Sequence, residues 1–325
     1  MKNLIFFIFI SNFSFGQPNP QERYPERIKA ITEQLKIDSL NYELIWERLK
    51  MKVNLMGSFP PLEEIFSFQV DSFKIRRREL FFDEFNSDFI KIYDNIIQLK
   101  YFENVEEGDF YLNRIWFYFN MLEFDRAIED AIYLRDKASY SRFWQRGEYY
   151  NDWAISSLFN LYALKKDYDK ALETINFKLE KQKNESPKLY YSLTQNSYNQ
   201  KIQLYEHFDK REEIIPYLKQ LCRENFLHYF EIAKYKGSNF ENTVYVNDKE
   251  HYTDKNDYNY FTNRKKDQSF YLLKLLVDYM KKNKDKELPK YEKIYNQLHY
   301  RMNENYETIN PNISDKELKL IVAEI

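Results

Sequence analysis

Residues 162–173 read Tyr-Ala-Leu-Lys-Lys-Asp-Tyr-Asp-Lys-Ala-Leu-Glu, and this stretch decides the fold. In it an aromatic residue precedes a small or apolar residue by nine positions, and the same spacing recurs once upstream and once downstream. The three pairs are Tyr118 and Ala127, Tyr162 and Ala171, and Tyr205 and Ile214. The copies are 44 and 43 residues apart. Repetition at such a period indicates one structural unit copied along the chain.

Each copy has the pattern of a helical hairpin. Apolar residues stand seven and three positions before the aromatic residue, on one face of a first helix. They are Tyr111 and Ile115, Ile155 and Phe159, and Tyr198 and Ile202. Short connections follow at 121–124 and 164–168, and the small residue of the second helix packs against the first. One hairpin cannot bury both of its faces, so the pattern predicts that neighbouring hairpins stack. A weaker fourth copy has Trp46, Val53, Leu62 and Phe66 at the same offsets.

The residues 119–129, 162–173 and 214–218 resemble the tetratricopeptide repeat family. The resemblance covers about 105–225, and 28–72 more weakly. It implies an all-α fold, an α-solenoid of stacked antiparallel helical hairpins. The period exceeds the family's 34 residues, and bulky residues stand where its first helix carries glycine. These residues, Ile115, Phe159 and Ile202, predict an irregular superhelix. An ordinary helical bundle with coincidental spacing is the alternative.

In the resembled family the first helices line a concave groove that binds peptides. The positions carried over are Trp116, Phe119, Asn120, Trp153, Asn160, Asn199 and Gln203. Amides can bond an extended peptide backbone, and tryptophan adds contact area at low entropy cost. The set lacks the paired lysine and arginine with which some members grip a C-terminal carboxylate. The alternative is that these side chains are partly buried contacts between repeats.

The chain divides by composition into five segments. The first, 1–16, has a short charged start, an apolar run and small residues before Gln17, as secretory signal peptides do. A polar, proline-rich lead-in follows at 17–25, and the helical array spans 26–235. The polar stretch 236–263 reads as a loop or insertion with a short hairpin at Thr243–Val246. In the last segment, 264–325, the pattern predicts helices at 264–282 and 288–302 that pack on the array. It also predicts a terminal helix that begins with a capping box of Ser314 and Glu317.

The composition excludes several kinds of chemistry. The chain has 5 isolated glycines, 1 cysteine and 4 histidines in 325 residues. Phosphate-binding loops need clustered glycines, and multi-cysteine zinc sites need more thiols. Cys222 lies on the apolar side of its helix and reads as a buried hydrophobe. The sequence therefore predicts no cofactor, no metal and no catalytic residues, and the net charge of −2 argues against a nucleic-acid partner. No apolar run after the leader is long enough to span a membrane.

The sequence thus predicts an exported protein-interaction or scaffold module, periplasmic or secreted, that binds a peptide or protein partner through a helical-repeat groove. A sensor or immunity-type protein with one dedicated partner fits the same features. The alternative is an all-α envelope enzyme that acts on glycans with a pair of carboxylates, since acidic and aromatic residues are plentiful. Two close carboxylates with raised pKa in a deep pocket would favour that enzyme.

Overall fold

The computed structural model describes residues 23–99, 107–137, 144–185, 191–233, 243–246, 249–252, 255–303, 306–310 and 312–325. Within these ranges the chain is α-helical except for two short β-hairpins, which confirms the predicted all-α class. It forms two compact units, Met1–Lys166 (unit 1) and Asp167–Ile325 (unit 2). The boundary lies inside the array predicted over 26–235. The predicted signal peptide, 1–16, lies outside the described residues, as does the lead-in up to residue 22.

Unit 1 contains seven described helices, and helices that follow one another in the chain mostly pack together. The helices are α1 (Tyr24–Ile37), α2 (Tyr42–Met56), α3 (Leu62–Phe66), α4 (Ser72–Leu99), α5 (Glu107–Asn120), α6 (Phe124–Lys137) and α7 (Trp144–Leu164). Helix α2 packs on α1, α4 and α5, while α6 packs on α5 and α7. An aromatic centre joins α4 to α5, where the ring centroid of Phe89 lies 5.7 Å from that of Phe110 and 5.1 Å from that of Phe117. All three rings are buried.

Two ion pairs lie in the interior of unit 1. Arg48 of α2 donates from Nη2 to both carboxylate oxygens of Asp88 of α4, at 2.8 and 2.7 Å. Arg114 of α5 donates two bonds of 2.6 Å to Asp130 of α6. Hydrogen bonds between charged groups in a poorly hydrated place fix the relative position of the helices that carry them. The first pair thus connects α2 to α4, and the second connects α5 to α6.

Unit 2 contains described α-helices and two β-hairpins. With the terminal helix included the α-helices number six: α8 (Tyr168–Glu185), α9 (Tyr191–His207), α10 (Ile214–Ala233), α11 (Lys255–Asn283), α12 (Leu288–Leu298) and α13 (Asp315–Val322). The strands are β1 (Thr243–Val246), β2 (Lys249–Tyr252), β3 (His299–Asn303) and β4 (Tyr306–Ile309), paired antiparallel as β1–β2 and β3–β4. Helix α11 packs on α10 and α12, and α13 packs on both of those helices.

The core of unit 2 is apolar. Phe226, Leu276 and Ile294 are fully buried in it, together with the free thiol of Cys222. Burial raises the pKa of that thiol far above its ordinary value, so it stays protonated and is a poor nucleophile. The predicted role of Cys222 as a buried hydrophobe is confirmed.

Equivalent turns end the first helix of each predicted repeat copy. The residues four positions after the repeat tyrosines, Leu122, Lys166 and Asp209, all have left-handed backbone, with φ of 63°, 59° and 55°. In the first and third turns the next backbone N–H reaches back to the tyrosine carbonyl. Glu123 N–H donates to Tyr118 at 2.9 Å, and Lys210 N–H donates to Tyr205 at 2.8 Å. This pattern ends a helix tightly, and it confirms the connections predicted at 121–124 and 164–168.

Two other predicted elements are confirmed, and two predicted helix boundaries differ in the structure. The hairpin at Thr243–Val246 is confirmed, and so is the capping box, in which Ser314 Oγ accepts from Glu317 N–H at 3.3 Å. The predicted helix 288–302 is wrong after Leu298, because His299 takes extended backbone and pairs with the buried Ile309. Helix α11 begins at Lys255, inside the segment predicted as a polar loop.

The weak fourth copy of the repeat has no full second helix. Its residues Trp46 and Val53 lie on α2, but Leu62 and Phe66 bound a helix of only 5 residues. Pro61 precedes α3 with extended backbone, at φ −52° and ψ 154°. Proline cannot continue a preceding helix, so this connection is longer than the equivalent turns.

Candidate binding site

Three aromatic side chains form a ladder on two helices of unit 1. Tyr149 and Trp153 lie one turn apart on α7, with ring centroids 6.1 Å apart and planes at 66°. Trp153 meets Trp116 of α5 at 5.8 Å and 76°. These edge-to-face arrangements are the favourable ones for aromatic pairs. We call Tyr149, Trp153 and Trp116 the aromatic ladder.

The ladder presents ring surface to the outside. Tyr149 is 44% exposed, and both tryptophans are partly exposed. The indole nitrogen of Trp116 is buried and has no hydrogen-bond partner among the described residues. The accessible part of Trp116 is therefore carbon surface, which suits apolar contact better than hydrogen bonding.

Acidic side chains flank the ladder on α7. Glu148 and Asp152 are exposed, next in sequence to Tyr149 and Trp153. Ser156, one turn further along, donates its hydroxyl to the Asp152 backbone carbonyl at 2.8 Å. The ladder is thus an apolar strip with negative charge beside it.

Asn120 was predicted to line the groove, but its amide bonds to the protein itself. Its Nδ2 donates to the backbone carbonyl of Gly57 at 3.0 Å and to that of Trp116 at 2.9 Å. Its Oδ1 accepts from Arg77 of α4 at 3.3 Å. Asn120 therefore ties the chain after α2 and the start of α4 to the end of α5.

Phe119 was also predicted for the groove, and here the structure requires a correction. The ring is 4% exposed. Its centroid lies 4.5 Å from that of Phe59, 5.7 Å from that of Phe68 and 6.2 Å from that of Phe124. The segment between α2 and α4 covers Phe119, since the longer connection at Pro61 brings two phenylalanines over it. Phe119 is a core residue.

The remaining predicted residues are divided between the two units. Asn160 is half-buried on α7 of unit 1, two turns beyond Trp153 on the same helix face. Asn199 and Gln203 are half-buried on α9 of unit 2. The structure thus brings together Trp116 and Trp153. It adds Tyr149, which sequence reasoning missed although its spacing of four from Trp153 was a usable signal.

The two buried carboxyl groups among the described residues, Asp88 and Asp130, are each held by an arginine. Burial raises the pKa of Asp130, and the two bonds from Arg114 oppose that rise. Both of its oxygens are held by the guanidinium, so it is not free to protonate a leaving group.

Arg114 also contacts aromatic rings on several sides. Its guanidinium carbon lies 4.8 Å from the ring centroid of Phe110, 5.0 Å from that of Tyr111 and 5.4 Å from that of Tyr93. Such cation–π contacts stabilise a charge that has lost water. These contacts, together with the ion pair to Asp130, give Arg114 a structural role in the interior of unit 1.

The described residues contain no group of three or more histidine, cysteine, aspartate or glutamate side chains placed to hold a metal ion. Among the same residues no helix is both long and apolar enough to span a membrane.

Comparisons with known proteins add no relative. No protein family, no curated protein and no solved structure matches the chain.

Proposed function

We propose that this protein is an exported interaction module that binds a peptide or protein partner through the helical-hairpin surface of unit 1. The observation that carries the proposal is the aromatic ladder of Tyr149, Trp153 and Trp116. Tyrosine and tryptophan dominate the energetics of protein interfaces because they bury a large rigid surface at low entropic cost.

The repeated turns support a tetratricopeptide-like arrangement of the hairpins. Left-handed residues stand at equivalent positions of three copies, at Leu122, Lys166 and Asp209. The small residue Ala127 is fully buried and lies on α6, which packs on α5, as close packing of paired helices requires. We propose that the hairpins stack as an irregular α-solenoid and that α5 and α7 face the ligand.

The chemistry of the ladder indicates the class of partner. Exposed ring surface favours an apolar or aromatic anchor on the ligand. The exposed carboxylates of Glu148 and Asp152 favour positive charge beside that anchor. A peptide segment with a large apolar side chain and nearby lysine or arginine meets both requirements.

The test is affinity capture of residues 17–325 from the protein's own cell envelope, followed by mass spectrometry and titration of the recovered partner. Three baits are compared: the unchanged chain, Tyr149→Ala combined with Trp153→Ala, and Tyr271→Ala. Tyr271 is 42% exposed on α11, so it matches Tyr149 in residue type and exposure. We expect one stoichiometric partner that the double variant binds about 30-fold more weakly and Tyr271→Ala binds normally.

A partner retained in full by the double variant would contradict the ladder as its contact surface. Recovery of no protein at all would contradict a protein partner and would favour a glycan ligand, which a glycan-binding screen would then examine.

The proposed export rests on the leader pattern at 1–16 and has a separate test. We expect the protein in the periplasmic or extracellular fraction, with Gln17 as its N-terminal residue by mass spectrometry. Recovery of a cytoplasmic chain that retains the leader would contradict export without affecting the ladder.

A further inference from the structure

Helix α4 has an outward face that carries large apolar side chains. Its inner face buries Phe85, Phe89 and Ile92 in the core of unit 1. Half a turn round the helix lies a strip of exposed residues that includes Phe73, Leu80 and Ile90, at 66%, 61% and 52% exposure. Amphipathic surface helices normally keep that side polar. The strip made by Phe73, Arg76, Leu80, Asp83 and Ile90 is called the outer face of α4.

The charges on this face are unpaired and of opposite sign. Arg76 and Asp83 are exposed, and neither forms an ion pair or a side-chain hydrogen bond among the described residues. They stand seven positions apart, or about 10 Å along the helix, too far to pair with each other. Two charged residues close to them in sequence do form ion pairs, since Arg78 pairs with Glu123 and Glu84 pairs with Lys52.

The order of these residues makes the face complementary to itself. A basic group stands on one side of Leu80 and an acidic group on the other, at nearly equal distances. When the same helix is turned end for end, Arg76 comes opposite Asp83, and the axis then passes between Glu79 and Leu80, so that the two Leu80 residues lie beside it. A two-fold interface requires this property, because each residue then meets the reciprocal partner.

We propose that the outer face of α4 joins two copies of this chain as a homodimer. The two α4 helices cross antiparallel on a two-fold axis beside Leu80. Each Arg76 pairs with Asp83 of the other copy, Leu80 packs at the axis, and Phe73 covers the apolar surface next to it. An anionic membrane surface fits this face less well, because such a surface attracts one sign of charge and Asp83 opposes it.

Charge reversal tests the reciprocal pairing directly. The full mature chain, its Arg76→Asp and Asp83→Arg variants and the double variant are compared by sedimentation equilibrium over a range of concentrations. We expect a dimer for the unchanged chain and at least a tenfold weaker dimer for each single variant. The double variant exchanges the two charges within every pair, so we expect its dimer to return to within a few-fold of the unchanged chain.

An apolar variant with a matched control tests the axis. Leu80→Asp removes the central contact and should leave a monomer. Leu227→Asp, at a helical leucine of 54% exposure on α10, should leave the dimer unchanged. Far-ultraviolet circular dichroism checks that all variants fold.

Three results would overturn the proposal. The first is a monomer at every concentration of the unchanged chain. The second is a dimer that neither single charge reversal weakens. The third is a double variant that remains as dissociated as the single ones, since reciprocal pairing requires restoration.

Discussion

The two units differ in what their cores contain. The buried charged side chains among the described residues are Arg48, Lys52, Asp88 and Asp130, and all four belong to unit 1. The buried polar residues of unit 2 are uncharged, and one pair of them, Asn225 and Ser269, is joined by a side-chain hydrogen bond. Among the described residues, the core of unit 1 thus adds paired charges to its apolar packing, whereas the core of unit 2 adds only uncharged polar groups.

The two kinds of core respond differently to substitution. Removal of one partner from a buried ion pair leaves an uncompensated charge, whereas removal of apolar volume leaves a cavity. The chain itself carries a reporter for each unit. All 4 tryptophans, at positions 46, 116, 144 and 153, belong to unit 1, and the single cysteine belongs to unit 2. Tryptophan fluorescence therefore follows unit 1, and the rate at which Cys222 is labelled follows unit 2.

The largest expected effect is that of Asp88→Ala in unit 1. The change leaves the guanidinium of Arg48 buried without its carboxylate, so we expect a loss of about 4 kcal/mol in the free energy of unfolding. Tryptophan fluorescence during urea denaturation measures it. Asp94→Ala, at an exposed position of the same helix, is the control and should change stability by less than about 0.5 kcal/mol.

The double variant Arg48→Met with Asp88→Leu sharpens this prediction. Replacing both members of a buried pair by apolar residues is often neutral, so we expect most of the lost stability to return. A double variant as unstable as Asp88→Ala would show that the pair acts through shape rather than through charge.

An intermediate effect is expected for Leu276→Ala in unit 2. Leu276 is fully buried in the apolar core. Its truncation leaves a cavity, so we expect the free energy of unfolding to fall by about 3 kcal/mol. We expect faster labelling of Cys222 at equilibrium and an unchanged tryptophan transition. The exposed Leu227→Ala is the control. A shift of the tryptophan transition in Leu276→Ala would mean that the two cores unfold as one.

The smallest expected effect is that of Ser314→Ala at the start of α13. Loss of the N-cap bond should cost about 1 kcal/mol. The bonds from Ser314 hold the pKa of Glu317 below its usual value of 4.5. Since the folded-state pKa is the lower one, this stabilisation is present above pH 4.5 and is lost as the pH falls through the folded-state value.

The measurement for this last prediction is urea denaturation of the unchanged and Ser314→Ala chains at pH 7 and near pH 3, followed by far-ultraviolet circular dichroism. The difference between the two chains should shrink at the lower pH. A difference that is independent of pH would assign the cap to the serine hydroxyl alone, without Glu317.

The repeat spacing predicted where the helices of the repeat begin and end, because helix termination depends on residues that are close in sequence. Helices α5 and α7 end, and helices α6 and α8 begin, at the predicted connections, which lie at fixed distances from each repeat tyrosine. The spacing did not predict the strand at His299, because that strand depends on pairing with Ile309, ten residues away.

The candidate site was less predictable for a similar reason. Phe119 stands at a groove position by helix periodicity, but Phe59 and Phe68 from a distant part of the chain cover it. Asn120 is held by Gly57 in the same way. Periodicity tells which residues share a helix face, whereas long-range contacts decide whether that face is open.

The left-handed turn residues carry a consequence for engineering. Glycine adopts this conformation without the steric strain that a side chain adds, yet Leu122, Lys166, Asp209 and Lys284 fill these four described positions. The four sites are far apart in sequence, and sites without shared contacts combine almost additively. We expect glycine at each of these four positions to relieve that strain, with gains that add together and leave the core, the aromatic ladder and the outer face of α4 unchanged.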